Sequence, residues 1–331
     1  MTDFLELAQE EQAEILTSIS STTGRSAQIL QKDVWVCWAL KDIFSIPSSV
    51  GMVFKGGTSL SKAFSIIHRF SEDVDITLDH RDFPEAPDPF AVGLSKTQVK
   101  KIGGQLTEQA GRHVRNVLYP ALSESFRQVT AGKGQPQLTV DCQEIDLIYP
   151  SALGGGQGYI EDKIKIEFGG RNAVEPNVAS EIIPYLAEHV PTLNFPTSSV
   201  EVLAPERTFW EKATLIHVEC HRPGGLRRDR ISRHWYDLAM LAKSDVGERA
   251  LANVDLLADV LKYKNKFFNS SYANYDACLD GGFLLVPIGD SLVKLEADYK
   301  AMIEARMFEE TPRPFEEILA VLSVVESKIN T

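Results

Sequence analysis

Cysteine is scarce in this sequence: four residues in 331, with Cys37, Cys142, Cys220 and Cys278 far apart and no C-x-x-C pair. That spacing argues against a disulfide framework and fits idle thiols in a reducing compartment. Long apolar runs are missing too, and none approaches the roughly 18 residues that a membrane span needs. The first eleven residues are acidic rather than a basic segment leading into an apolar one, so a cytoplasmic protein without a membrane partner is expected. Basic charge is in deficit, with 34 Lys and Arg against 46 Asp and Glu and a net charge of −12. Taken as a total, that argues against a nucleic-acid partner. There is no Gly-Lys-Ser/Thr phosphate loop, no Gly-x-Ser-x-Gly elbow, no internal repeat and no low-complexity tract.

What is present is globular in composition, 44% hydrophobic and 24% charged, enough for one large core or two ordinary ones. Residues 1–46 carry helical periodicity broken near Ser20–Gly24, a helical preface. Met52–Phe54 reads as a strand, Lys55–Thr58 as a turn and Ser59–His68 as a helix. Asp73 to Asp79 alternates polar and apolar residues, the pattern of a strand with one polar face. A Pro- and Asp-rich loop follows over 80–98, helix over 99–130, a strand over Gln137–Tyr149, a Gly-rich hairpin loop at 154–158 and a strand at Lys163–Phe168. From about 203 the periodicity is helical almost to the end, with a boundary in the stretch 191–199. The expected fold is α+β: a mixed sheet flanked by helices over 1–200 and an all-helical C-terminal lobe over 201–331.

The chemistry concentrates between Lys55 and Leu78. Asp73 and Asp75 stand two apart on a strand, so both carboxylates leave the same face and can share a hard cation such as Mg²⁺. Gly56-Gly57-Thr58-Ser59 stands directly before a helix, where unpaired backbone N–H groups and the positive end of the dipole favour a triphosphate. The missing side chains at Gly56 and Gly57 allow close approach. An anion site beside a metal site is what nucleotidyl or phosphoryl transfer requires. Two-metal chemistry commonly recruits a third carboxylate from a neighbouring strand; Glu167 is the best candidate and Asp146 the runner-up. Lys212 lies beside an apolar stripe and would seek an anion, while Asp237 lies one turn from Arg233. His217 and His221, with Cys220 nearby, have a spacing zinc could use, but Glu219 is out of the His-Glu-x-x-His order and a helix end is the better reading.

Phe54-Lys55-Gly56-Gly57-Thr58-Ser59-Leu60-Ser61-Lys62 with Arg69-Phe70-Ser71-Glu72-Asp73-Val74-Asp75 resembles the first motif of the AbiEii/AbiGii toxin nucleotidyltransferases, a branch of the DNA polymerase β-like superfamily. The likeness continues in Lys32-Asp33, Lys165-Ile166-Glu167, Glu206 to Lys212 and Arg233 to Leu238. It implies a polymerase-β-like nucleotidyltransferase lobe and a toxin of a toxin–antitoxin or phage-defence system. The resemblance further implies that such a toxin moves NMP from an NTP to RNA, with a tRNA 3′ end as the expected acceptor, using Mg²⁺ or Mn²⁺ and with an antitoxin encoded next to it. The catalytic set would be Asp73, Asp75, Lys212, Asp237 and Glu167, with Asp73, Asp75 and Glu167 on metal. Nucleotide contacts would come from Lys55, Gly56, Gly57, Thr58, Ser59, Ser71 and Lys212. Transfer to a partner protein, or an inactive fold serving as a binding module, are the alternatives.

The charge distribution reopens the question of nucleic acid. Between 71 and 89 stand seven acidic residues against Arg81 alone, which accounts for half of the net charge. Arg222, Arg227, Arg228, Arg230 and Arg233 stand against Asp229 alone, and the segment 96–115 is also basic. Such segments are expected to track an RNA backbone locally.

Overall fold

The computed structural model of the protein describes residues 1–71, 73–84, 86–154, 161–226 and 230–331. These form two compact units: residues 1–63 with 70–202, and residues 64–69 with 203–331.

The first unit opens with a short strand β1 (Thr2–Asp3), then helices α1 (Gln9–Thr23) and α2 (Ala27–Ser45). The break between the helices is the expected one: Gly24 takes the left-handed conformation at φ 75, where a side chain is costly. Ser26 then caps α2 by accepting from the Ile29 N–H. Next come β2 (Met52–Lys55), α3 (Gly56–Lys62), β3 (Val74–Leu78), α4 (Lys96–His113) and α5 (Tyr119–Val129), with a π-helical turn at Val114–Leu118 joining the last two. The remaining strands are β4 (Gln135–Leu138), β5 (Glu144–Ile148), β6 (Lys163–Gly169), β7 (Asn177–Ile182), β8 (Leu193–Asn194) and β9 (Ser198–Leu203). Seven of them make one mixed sheet in the order β4-β5-β6-β3-β2-β9-β7, and β1 pairs β8 apart from it. Val74, Ile76, Ile145, Ile164 and Ile166 are buried along it, and Trp35 stacks on Tyr149 at 5.3 Å where α2 covers the sheet. The expected α+β fold is what forms.

Three local expectations need correction. The helix expected over Ser59–His68 starts at Gly56 and ends at Lys62, because Ser65 turns left-handed at φ 52 and residues 64–69 pack with the second unit. The single strand expected over Gln137–Tyr149 is a hairpin of β4 and β5. Asp141 Oδ1 accepts from the Gln143 N–H and the Thr139 hydroxyl, and Cys142 adopts φ 60, so the chain reverses there. The polar face of β3 is solvated only at its start, since Thr77 and Asp79 are buried.

The second unit is helical: α6 (Pro205–Cys220), α7 (Ser232–Lys243), α8 (Asp245–Leu251), α9 (Val254–Phe267), α10 (Asp290–Glu304) and α11 (Phe315–Ile329). Pro205 occupies the first turn of α6, where its missing N–H costs nothing. Trp210 and Trp235 fill the core, each satisfying its indole N–H on a backbone carbonyl, Ala250 O at 3.1 Å and Leu285 O at 2.9 Å. Among the described residues no helix is long and apolar enough to cross a membrane.

Candidate active site

Strand β3 sits between β2 and β6, and its register sets the site. Asp75 is opposite Lys55 on the antiparallel neighbour β2 and opposite Glu167 on the parallel neighbour β6, which is in turn opposite Glu144 on β5. Register partners project to the same face. Lys55, Asp75, Glu167 and Glu144 therefore form one row across four strands. Buried Val74 and Ile76 fix which face of β3 turns inward, which leaves half-buried Asp73 and Asp75 on the other.

The turn between β2 and α3 is built against that row. Gly56 has φ +83, and an ideal Cβ there would overlap Asp75 Oδ2 and stand 3.0 Å from Asp75 Cγ. Glycine is thus required twice, by conformation and by space. Thr58 Oγ1 hydrogen-bonds to the Asp73 carbonyl oxygen at 2.6 Å and reaches Ser71 Oγ at 3.0 Å, tying the start of α3 to the residues that enter β3. Ser59 turns away from this face: it is fully buried and donates to the Gly56 carbonyl at 2.9 Å. At the other end of α3, Lys62 forms a buried ion pair with Asp33 of α2 at 2.7 Å. It also lies 3.8 Å from the centre of the Tyr185 ring.

The donors on this face are carboxylate oxygens, the set that suits a hard cation, and Mg²⁺ takes one or two carboxylates with substrate phosphates and water. Asp73 and Asp75 fit that demand. Among the described residues no three His, Cys, Asp or Glu side chains gather closely enough to hold a metal. Glu167 shares the row with Asp75, but its Oε1 is 2.5 Å from Lys165 Nζ, which also reaches Glu144 at 3.2 Å. Asp146 pairs with Lys163 at 3.2 Å.

Lys212 and Asp237 meet inside the second unit. Lys212 Nζ donates to Asp237 Oδ2 at 2.8 Å, and Arg69 grips the same carboxylate with Nε on Oδ1 and Nη2 on Oδ2, both at 2.7 Å. Burial pushes the Asp237 carboxyl up, but Arg69 and Lys212 outweigh it and hold the group well below the usual carboxylate range. Lys212 is pulled below the ordinary lysine value, first by burial and then by Arg69 and Arg233, against the pull of Asp237. Arg69 is the residue whose role sequence reading missed. It stands in the quoted motif, but its partner is 168 residues away.

The arginines meet varied surroundings. Arg222 is engaged within the fold, with Nε and Nη2 on the Glu219 carboxylate and Nη1 on the Tyr272 hydroxyl. The Arg230 backbone N–H donates to Asp298. Arg227 and Arg228, together with Asp229, lie outside the described residues, as do Glu72 and Glu85 of the acidic stretch and Gly155, Gly156 and Gly158 of the glycine run. His217 is spent on structure: its Nδ1 accepts from the Leu284 N–H, leaving Nε2 to donate to Asn274 O. Burial raises the neighbouring Cys220 thiol to about 12, which keeps it protonated.

A family profile described as the nucleotidyl transferase AbiEii toxin of type IV toxin–antitoxin systems matches residues 38–321. No curated protein matches the chain. Among solved structures, MenT4, a nucleotidyltransferase toxin from Mycobacterium tuberculosis, is similar at 16% identity and a TM-score of 0.45, over 96% of this chain and 99% of that one.

Proposed function

This chain belongs to the AbiEii family of nucleotidyltransferase toxins of type IV toxin–antitoxin systems, and from that premise we propose that it transfers NMP from an NTP to an RNA 3′ end, with tRNA as the acceptor class. The acceptor hydroxyl oxygen attacks the α-phosphorus as the bond from that phosphorus to the α,β-bridging oxygen breaks. Pyrophosphate leaves, and the hydroxyl proton passes to solvent. Asp73 and Asp75 would hold Mg²⁺ (Mn²⁺ as a substitute), which when bound neutralises charge building up on the phosphate oxygens.

The chain's own groups do the rest. The Gly56-Gly57 backbone lets phosphate oxygens approach next to Asp75. Thr58 and Ser71 fix the entry to β3, Lys55 extends the row beside Asp75, and Lys212 offers an ammonium to the nucleotide phosphates. Glu167, paired with Lys165, lies in the same row. Arg230 and Arg233, in the basic segment before and at the start of α7, would meet the acceptor backbone. The observation that carries this reading is the fit of Gly56 against Asp75 in a strand–turn–helix–strand unit, which sets a turn without side chains directly beside the carboxylate. The test is incubation of the protein with each labelled NTP and total tRNA. Label in RNA that is lost in Asp75→Ala supports the reading, no label from wild type refutes it, and label on protein would move the acceptor from RNA to a partner protein.

A further inference from the structure

The resemblance places Asp237 among the catalytic carboxylates; its surroundings give it another task. Its side chain has no exposed surface, and its two oxygens already take three charge-assisted hydrogen bonds, two from Arg69 and one from Lys212. Three of its about four acceptor sites are taken and none of the side chain meets solvent, a poor arrangement for a cation shared with a substrate. Two cations, Arg69 and Lys212, meet on this one carboxylate. Of the two, Lys212 is the more exposed, its side chain 9% accessible against 3% for Arg69.

Arg69 belongs to a strap. Residues 64–69 leave the first unit after α3 and pack with the second, and the chain returns at Phe70. Three further ties hold the strap's end: the His68 N–H on the Tyr236 hydroxyl at 3.3 Å, the Glu309 N–H on the His68 carbonyl at 3.0 Å, and an antiparallel bridge between Arg69 and Phe308. Tyr236 and Asp237 are consecutive on α7, so one turn of that helix grips both His68 and Arg69. Ser71 follows Arg69 by two residues and Asp73 by four.

We propose that Arg69 and Asp237 are positioning residues of the transferase: Asp237 holds the Lys212 ammonium for a substrate phosphate and, through Arg69, fixes the backbone from which Ser71 and Asp73 follow. This rests on the nucleotidyl-transfer reading above. The test uses the full chain as Arg69→Gln, Arg69→Lys and Asp237→Asn. KM for the NTP, kcat and the Mg²⁺ concentration for half-maximal rate are measured, and amide hydrogen exchange is followed over residues 64–71. Arg69→Gln and Asp237→Asn are each expected to raise KM about tenfold or more, the scale of a lost charged hydrogen bond. The Mg²⁺ requirement stays unchanged, and the strap exchanges about tenfold faster. Arg69→Lys, which keeps the charge but not the planar fork, falls between these and wild type.

The proposal is overturned by an Asp237→Asn variant whose Mg²⁺ requirement rises about tenfold while strap exchange is unchanged, the behaviour of a metal ligand. Should Asp237→Asn not fold, the two Arg69 variants decide by the same KM and exchange readings. A wild type that transfers nothing counts against the transfer reading itself. Strap exchange still decides the clamp in that case: faster exchange in Arg69→Gln supports it and unchanged exchange refutes it.

Discussion

Gly56 lies so close to Asp75 that a Cβ on the glycine would overlap the carboxylate oxygen. The turn that opens α3 and the carboxylate on β3 are thus one built unit, and the smallest possible side chain should break it. Gly56→Ala must either abandon φ +83 or displace Asp75. We expect a folded protein destabilised by about 1–3 kcal/mol that has lost transfer. A Gly56→Ala protein with wild-type turnover would show that the Gly56–Asp75 fit has no part in the reaction.

Asp75 and Glu167 face each other across β3 and β6 but keep different company. Asp75 is packed against the turn, whereas the Glu167 carboxylate is 40% exposed and paired with Lys165. Asp75→Asn should therefore cost about a thousandfold in kcat, the order of several kcal/mol of lost charge stabilisation. Glu167→Gln should cost about tenfold. Steady-state kinetics of both variants at saturating Mg²⁺ decide, and equal losses would make Glu167 a full member of the metal set.

Lys62 and Asp33, each 4% exposed, form a buried pair that anchors the C-terminal end of α3 to α2. Asp33 also accepts the Tyr185 N–H at 2.7 Å. Asp33→Asn keeps the shape but leaves the ammonium buried without its counter-ion. Urea unfolding should show a loss of about 3–5 kcal/mol.

His217 gives the stability a pH dependence of known sign. Burial lowers it to about 4, and protonation would put a donor where Nδ1 now accepts from Leu284. Below the unfolded value of about 6.5 the unfolded chain takes up a proton that the folded chain refuses, so stability falls as pH drops from about 6.5 to about 4. The loss attributable to His217 at pH 5 is on the order of 2 kcal/mol. His80, His113 and His234 shift the same way. His217→Gln should therefore flatten the decline between urea midpoints at about pH 7.5 and 5 without abolishing it.

The sequence shows those parts of the fold whose cause is local. Gly24 ends α1 because of its own conformational freedom, and the alternation around Val74 and Ile76 marks β3 from residues two apart. The Asp73–Asp75 spacing, the Gly-Gly turn and the mixed α+β architecture belong to the same class. Other features are set by distant partners and leave little local trace. β7 is mostly exposed, so Asn177–Ile182 has no clean alternation to read. Residues 64–69 look helical, but Arg69 is held by Asp237 from another part of the chain. The polar residues Thr77 and Asp79 mimic a solvated face although both are buried.

Nucleotidyl transfer stands or falls on one measurement: incorporation of label from each α-labelled NTP into total tRNA by the wild-type chain with Mg²⁺, with Asp75→Ala as the control. Labelled RNA from at least one NTP, with none above background for Asp75→Ala, is the result expected of nucleotidyl transfer. Equal labelling by the two proteins, or none by wild type, would contradict it.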